Sequence, residues 1–224
     1  MKIICCTYRD WAREIYRDLE KKFGNDEKLN FQFIHINSKE EYSEDFIHNE
    51  NPDLILWYGW SWIIPSSITE NFFSVMLHPS PLPKYRGGSP IQNQIINGEK
   101  ESAVTLFKID EGMDTGDIIA QKSFSLSGEL NDVFRKIISI GIELSTQMIK
   151  NFNMLNLSPQ NNSKSTSFKR RKPNQSEIKI SDFENYTAEK LYNKIRALQN
   201  PYPNSFVLCK DGTKLYLTKS HIEE

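Results

Sequence analysis

No stretch of the chain approaches the roughly 18 consecutive apolar residues that a membrane-spanning helix needs. The opening run Met1-Lys2-Ile3-Ile4-Cys5-Cys6-Thr7 is also too short for a secretory leader, and it leads straight into Arg9, Asp10 and Arg13. Cysteine is scarce and odd in number, with Cys5 and Cys6 adjacent in a strand-like run and Cys209 far away. That pattern excludes a disulfide framework, shows no zinc-type spacing, and suits reduced thiols in a core. Excess charge of either sign is missing too: 28 basic against 29 acidic residues leave a net charge of -1, with no global attraction to nucleic acid or an anionic membrane. Internal repeats are absent. What remains is a soluble protein of cytoplasmic type, with no metal expected and the question of a homodimer left open.

The 224 residues, 38% of them hydrophobic, can bury one sizeable core with a smaller appendage. Short apolar runs alternate with amphipathic segments, the pattern of βαβ units around a mostly parallel sheet. Strands are expected at Ile3–Cys6, Phe31–Ile36, Leu54–Tyr58, Phe73–His78 and Ser102–Ile109. Trp11, Ile15, Leu19 and Phe23 recur every four residues, giving a helix from Asp10 to Phe23 with Gly24 as C-cap. Further helices are expected over Lys39–His48, over the segment N-capped by Ser89 with Pro90 at N1 and closed by Gly98, over Asn131–Phe152 with Asn131 as N-cap, and over Thr187–Leu198. Phe206–Cys209 and Leu215–Leu217 read as a β-hairpin turning on Asp211-Gly212. The fold class is therefore α/β, a Rossmann-like mostly parallel sheet with flanking helices, plus a small C-terminal α+β part. Residues 1–155 form the main domain, the Ser/Asn-rich stretch 156–167 reads as a linker, and 168–224 form the subdomain.

Two pieces of sequence look unlike ordinary core. One is His78-Pro-Ser-Pro-Leu-Pro-Lys84-Tyr85-Arg86-Gly87-Gly88-Ser89-Pro90; the other is Asp110-Glu111-Gly112-Met113-Asp114-Thr-Gly-Asp117. His78 ends an apolar strand, and open α/β sheets place ligands at the carboxyl ends of their strands. Asp114 lies in a glycine-flanked turn after the next strand, where a carboxylate could return beside the imidazole, fix its tautomer and stabilise its charged form. Taken singly, a strand-capping histidine and a turn aspartate are the plainer readings. Tyr58, Trp60 and Trp62 alternate and suit either an aromatic ligand wall or a buried strand face.

Taken together, the two pieces resemble the folate-dependent formyltransferase family, which includes glycinamide ribonucleotide, methionyl-tRNA and nucleotide-sugar N-formyltransferases. The likeness runs over roughly residues 50 to 210. It implies 10-formyltetrahydrofolate as formyl donor, His78 and Asp114 as catalytic residues, and a pterin near Ser61, Trp62, Ile63 and Ile64 and against Asp110, Glu111, Gly112 and Met113. The loop Lys84, Tyr85, Arg86, Gly87 and Gly88 would meet the acceptor. One position departs from the family: its catalytic asparagine, two residues before the histidine, is Met76 here, on the same strand face as His78. A thioether donates no hydrogen bond to a developing oxyanion. The His78 imidazolium, Ser89, Gln92 and Asn93 are the candidate substitutes.

The resemblance also bears on the acceptor. Residues 168–224 are few for an RNA-binding domain, and the chain carries no net positive charge, so the expected acceptor is a small amine, a nucleotide-linked amino sugar, with the run Lys169-Arg170-Arg171-Lys172 able to meet a diphosphate. Three alternatives stay open. They are a non-catalytic folate or sugar-nucleotide binder, a 10-formyltetrahydrofolate hydrolase, and a methionyl-tRNA formyltransferase.

Overall fold

The computed structural model describes residues 1–24 and 30–223. Six strands form the main sheet: β1 Lys2–Thr7, β2 Gln32–Ile36, β3 Leu54–Tyr58, β4 Ser74–His78, β6 Glu101–Lys108 and β7 Ile118–Ser125, in the order β2-β1-β3-β4-β6-β7. The first four run parallel, and β6 and β7 pair antiparallel on the far side. Side chains alternate across the sheet, so Ile3 and Cys5 enter one core and Ile4 and Cys6 the other. Burial pushes both thiols far above their usual range, as reduced core residues require. Cys209 instead is exposed.

Helix α1, Asp10–Phe23, and helix α5, Leu130–Lys150, cover the first face, burying Ile15, Leu19, Val133, Ile137 and Leu144. Each fully buried aliphatic side chain of this kind contributes about 1.5–3 kcal/mol. The remaining strands are β5 Arg86–Gly87, β8 Ser167–Phe168, β9 Ser205–Leu208 and β10 Lys214–Leu217, and the remaining helices α2 Glu44–Glu50, α3 Ser66–Thr69, α4 Pro90–Ile96, α6 Asp182–Asn185 and α7 Ala188–Ala197. The hairpin β9–β10 forms as expected, with Gly212 at φ +79°.

Several boundaries differ from the sequence reading, each for a local reason. Helix α2 starts at Glu44 because Ser43 Oγ accepts the Phe46 N–H; residues 39–42 turn instead. Helix α5 begins one residue early, since Glu129 and Asp132 form a reciprocal capping box that makes Glu129, and not Asn131, the N-cap. Ser89 precedes α4 but does not cap it: its backbone is left-handed (φ 52°) and its Oγ accepts the Arg171 N–H. Strand β7 has no counterpart in the sequence reading, for it is an edge strand whose outward residues are polar and exposed.

Candidate functional site

Strand order reverses between β1 and β3, and a crevice opens there at the strands' carboxyl ends. It continues into a cleft of about 890 Å³ whose lining includes Arg9 after β1, Trp60 and Ser61 after β3, Met76 and His78 at the end of β4, and Asp114 after β6.

His78 is almost fully buried, and both its ring nitrogens face oxygen. Nε2 lies 2.8 Å from the Tyr85 carbonyl, to which it donates, and Nδ1 lies 3.6 Å from Asp114 Oδ2. A neutral ring protonated at Nε2 would turn its Nδ1 lone pair toward the carboxylate, whereas a doubly protonated ring serves both acceptors. Asp114 is itself positioned from two sides. Its Oδ2 accepts the Gly87 N–H at 2.7 Å, and its carbonyl accepts from Gln160 Nε2. Its backbone is left-handed (φ 55°), a conformation aspartate tolerates better than most residues. The loop after His78 is pinned by Thr105, which donates to the Ser80 carbonyl, and by Gln121, which donates to that of Leu82.

The acceptor loop expected at residues 84–88 divides. Gly87 and Gly88 line the cleft. Both must be glycine: a Cβ on Gly87 would lie 2.4 Å from the Phe168 carbonyl oxygen, and one on Gly88 would lie 2.4 Å from the Arg170 backbone. Lys84, Tyr85 and Arg86 do not line it. Tyr85 stacks its ring on Phe168 and donates its hydroxyl to Glu99. Arg86, expected to contact the acceptor, turns away because its guanidinium donates to Gln160 Oε1 and Asn162 Oδ1. The stretch 156–167 is thus tied down by side chains rather than free along its length, and it leads Ser167 and Phe168 into pairing with Arg86 and Gly87.

That pairing carries Lys169, Arg170, Arg171 and Lys172 into the cleft wall, joined by Arg9. Arg170 donates to Ser61 Oγ, and Ser61 also bonds the Tyr8 hydroxyl. Arg171 is half-buried; its Nη2 donates to the Gln175 carbonyl while its Nε has no partner. Of the residues expected near a pterin, Ser61 and Met113 line the cleft, whereas Trp62, Ile63, Ile64, Asp110, Glu111 and Gly112 stand outside it. Ile63 points to solvent, and Asp110 is used in its own turn, accepting from Thr115 Oγ1 and the Gly112 N–H. The aromatic wall is rearranged as well. Tyr58 is core, bonded to Ser145, while Tyr8 packs against Trp60 and Trp62. Met76, Ser89 and Gln92 line the cleft; Asn93 does not, its Nδ2 donating to the Gly88 carbonyl. Residues that sequence reasoning did not single out for the site are Arg9, Tyr8, Gln160 and Tyr202; Arg9, two residues after β1, is the one a switch-point argument could have found.

Among the described residues no group of acidic, histidine and cysteine side chains is arranged to hold a metal ion, and no helix is long and apolar enough to cross a membrane.

Comparison with known proteins agrees with this architecture. Residues 19–132 match the family model described as formyl transferase. The chain is 35% identical over 168 residues to the methionyl-tRNA formyltransferase of Orientia tsutsugamushi (strain Boryong), covering 73% of this chain and 53% of that relative. It therefore spans about half the length of the curated relatives it matches. The solved structure of methionyl-tRNA formyltransferase from Clostridium thermocellum superposes with a TM-score of 0.80 at 31% identity, covering 96% of both chains. A 4-N formyltransferase from Francisella tularensis superposes equally well (TM-score 0.80) at 23% identity over 100% of this chain and 98% of that one, a likeness of fold. With a family match over half its length, the chain belongs to the formyl transferase family.

Proposed function

We propose that this chain moves a formyl group from 10-formyltetrahydrofolate to the amine of an acceptor that carries phosphate, a nucleotide-linked amino sugar. The observation that carries the reading is the pairing of His78 with Asp114 in one cleft with the basic wall Arg9 and Lys169 to Lys172.

The crevice suits the donor. Trp60, Met76 and Met113 give apolar surface for a flat heteroaromatic ring, and Ser61 offers a hydroxyl at the edge. Bound there, the donor would present an activated formyl carbon. Asp114 would keep the imidazole oriented and take up, directly or through water, the proton lost by the attacking amine. A doubly protonated His78 would stabilise the tetrahedral oxyanion through its charge, and Asp114, directly or through water, would return a proton to the leaving nitrogen. Arginine and lysine on the opposite wall would hold phosphate oxygens by charge-assisted hydrogen bonds and set the amine's approach.

The relatives' names favour a second reading, methionyl-tRNA, whose terminal phosphates the same basic wall would meet. Incubating the protein with 10-formyltetrahydrofolate and, separately, nucleoside-diphosphate amino sugars and methionyl-tRNA tests both. Formylation of the sugar supports the first reading and formylation of the tRNA the second; formate release without an amine would mark a hydrolase.

A further inference from the structure

Acyl transfer needs a donor where the carbonyl oxygen gathers charge, and the cleft face of β4 offers only the Met76 thioether beside His78. Most polar groups around it are already engaged. His78 Nε2 donates to Tyr85, the Gly87 N–H goes to Asp114, the Gly88 N–H goes to the Phe168 carbonyl, Ser89 Oγ is held by Arg171, and Asn93 Nδ2 bonds Gly88. Gln92 differs. It projects from the first turn of α4 into the cleft, its side chain is 3% exposed, and its Nε2 has no hydrogen-bond partner. Tyr202 stands near enough for the amide to favour its phenolate, against the burial that pushes the phenol up, yet without hydrogen-bond geometry. An unpaired buried amide costs stability, and such groups persist where a ligand supplies the partner.

We propose that the Gln92 amide is the oxyanion donor of this enzyme, taking the role that Met76 cannot fill. The inference rests on the formyl-transfer reading. As the amine nitrogen bonds to the formyl carbon, the carbonyl π pair moves onto oxygen, and the Gln92 N–H donates to that oxygen. When the pair returns, the carbon–N10 bond breaks with its electrons on N10, and the proton lost by the amine reaches N10 through Asp114 or water. Gln92 itself gains and loses no proton.

The test is Gln92→Met, which keeps volume and removes the donor, assayed with 10-formyltetrahydrofolate and the acceptor that the wild type uses, alongside thermal melting of both proteins. The expected result is a kcat lower by roughly 10²-fold with acceptor KM little changed, as typical for loss of one oxyanion donor, together with a melting temperature at or above that of the wild type. Adding Met76→Asn in that background should restore part of the rate. Wild-type kcat in Gln92→Met, a rise confined to KM, or a melting temperature below the wild type would overturn the proposal. A wild type that forms no N-formyl product refutes the formyl-transfer reading instead, and the melting comparison still tests whether the amide is unpaired.

Discussion

Asp114 Oδ2 lies 2.7 Å from the Gly87 N–H and 3.6 Å from His78 Nδ1, so one carboxylate oxygen ties the glycine loop to the imidazole. The orientation of His78 thus depends on a residue 36 positions later, brought beside it by the loop between β6 and β7. Asp114→Asn keeps the shape but removes the charge. It is expected to lower kcat by about 10²–10⁴-fold while the melting curve stays close to wild type, which steady-state kinetics beside circular dichroism would check.

Arg86 is expected to act on stability first. Arg86→Ala strands the Gln160 and Asn162 acceptors and should cost about 1–3 kcal/mol in urea unfolding. Limited proteolysis should then cut between residues 156 and 167 faster than in the wild type. Unchanged cleavage would mean the guanidinium does not hold that segment.

The basic wall should be read in KM. Arg171 has an unpartnered Nε and a guanidinium whose ionised form is disfavoured by burial, both of which a phosphate would relieve. Arg171→Ala should raise acceptor KM about tenfold or more with a smaller change in kcat, and the effect should shrink as salt rises. An equal loss for an acceptor stripped of phosphate would contradict the assignment.

His35 gives a pH signature away from the cleft. Burial against Tyr16 lowers its pKa, and its Nε2 bonds Thr7 Oγ1. The unfolded chain therefore binds a proton more readily than the folded one, so this contribution to stability is complete above the unfolded value, near 6.5, and is lost as pH falls. Urea titrations at pH 5, 6 and 7 should show a shallower acid-side decline in His35→Gln than in the wild type.

Much of this was legible in the chain. Helix α1 and strand β3 have the expected bounds because their periodicities of four and of continuous apolarity are uninterrupted. His78 and Asp114 stood out through their proline and glycine loops. Other features carry no such signal. Arg86, in a glycine loop, reads like a ligand contact, and only the fold reveals Gln160 and Asn162 opposite it. The polar composition of residues 156–167 hides those partners, since side-chain clamps leave no periodicity. Gln92 looks no different from Gln94 in sequence; Gln94 Nε2 donates to the Pro79 and Pro90 carbonyls and that of Gln92 donates to none.

The most direct test of the account follows the formyl carbon. Isotopically labelled 10-formyltetrahydrofolate, purified protein and a panel of nucleoside-diphosphate amino sugars are combined, and products are resolved by mass spectrometry. Label is expected in an N-formyl sugar nucleotide, appearing about 10²–10⁴-fold more slowly with Asp114→Asn. Label recovered only as free formate, at a rate indifferent to added amine, would contradict the account.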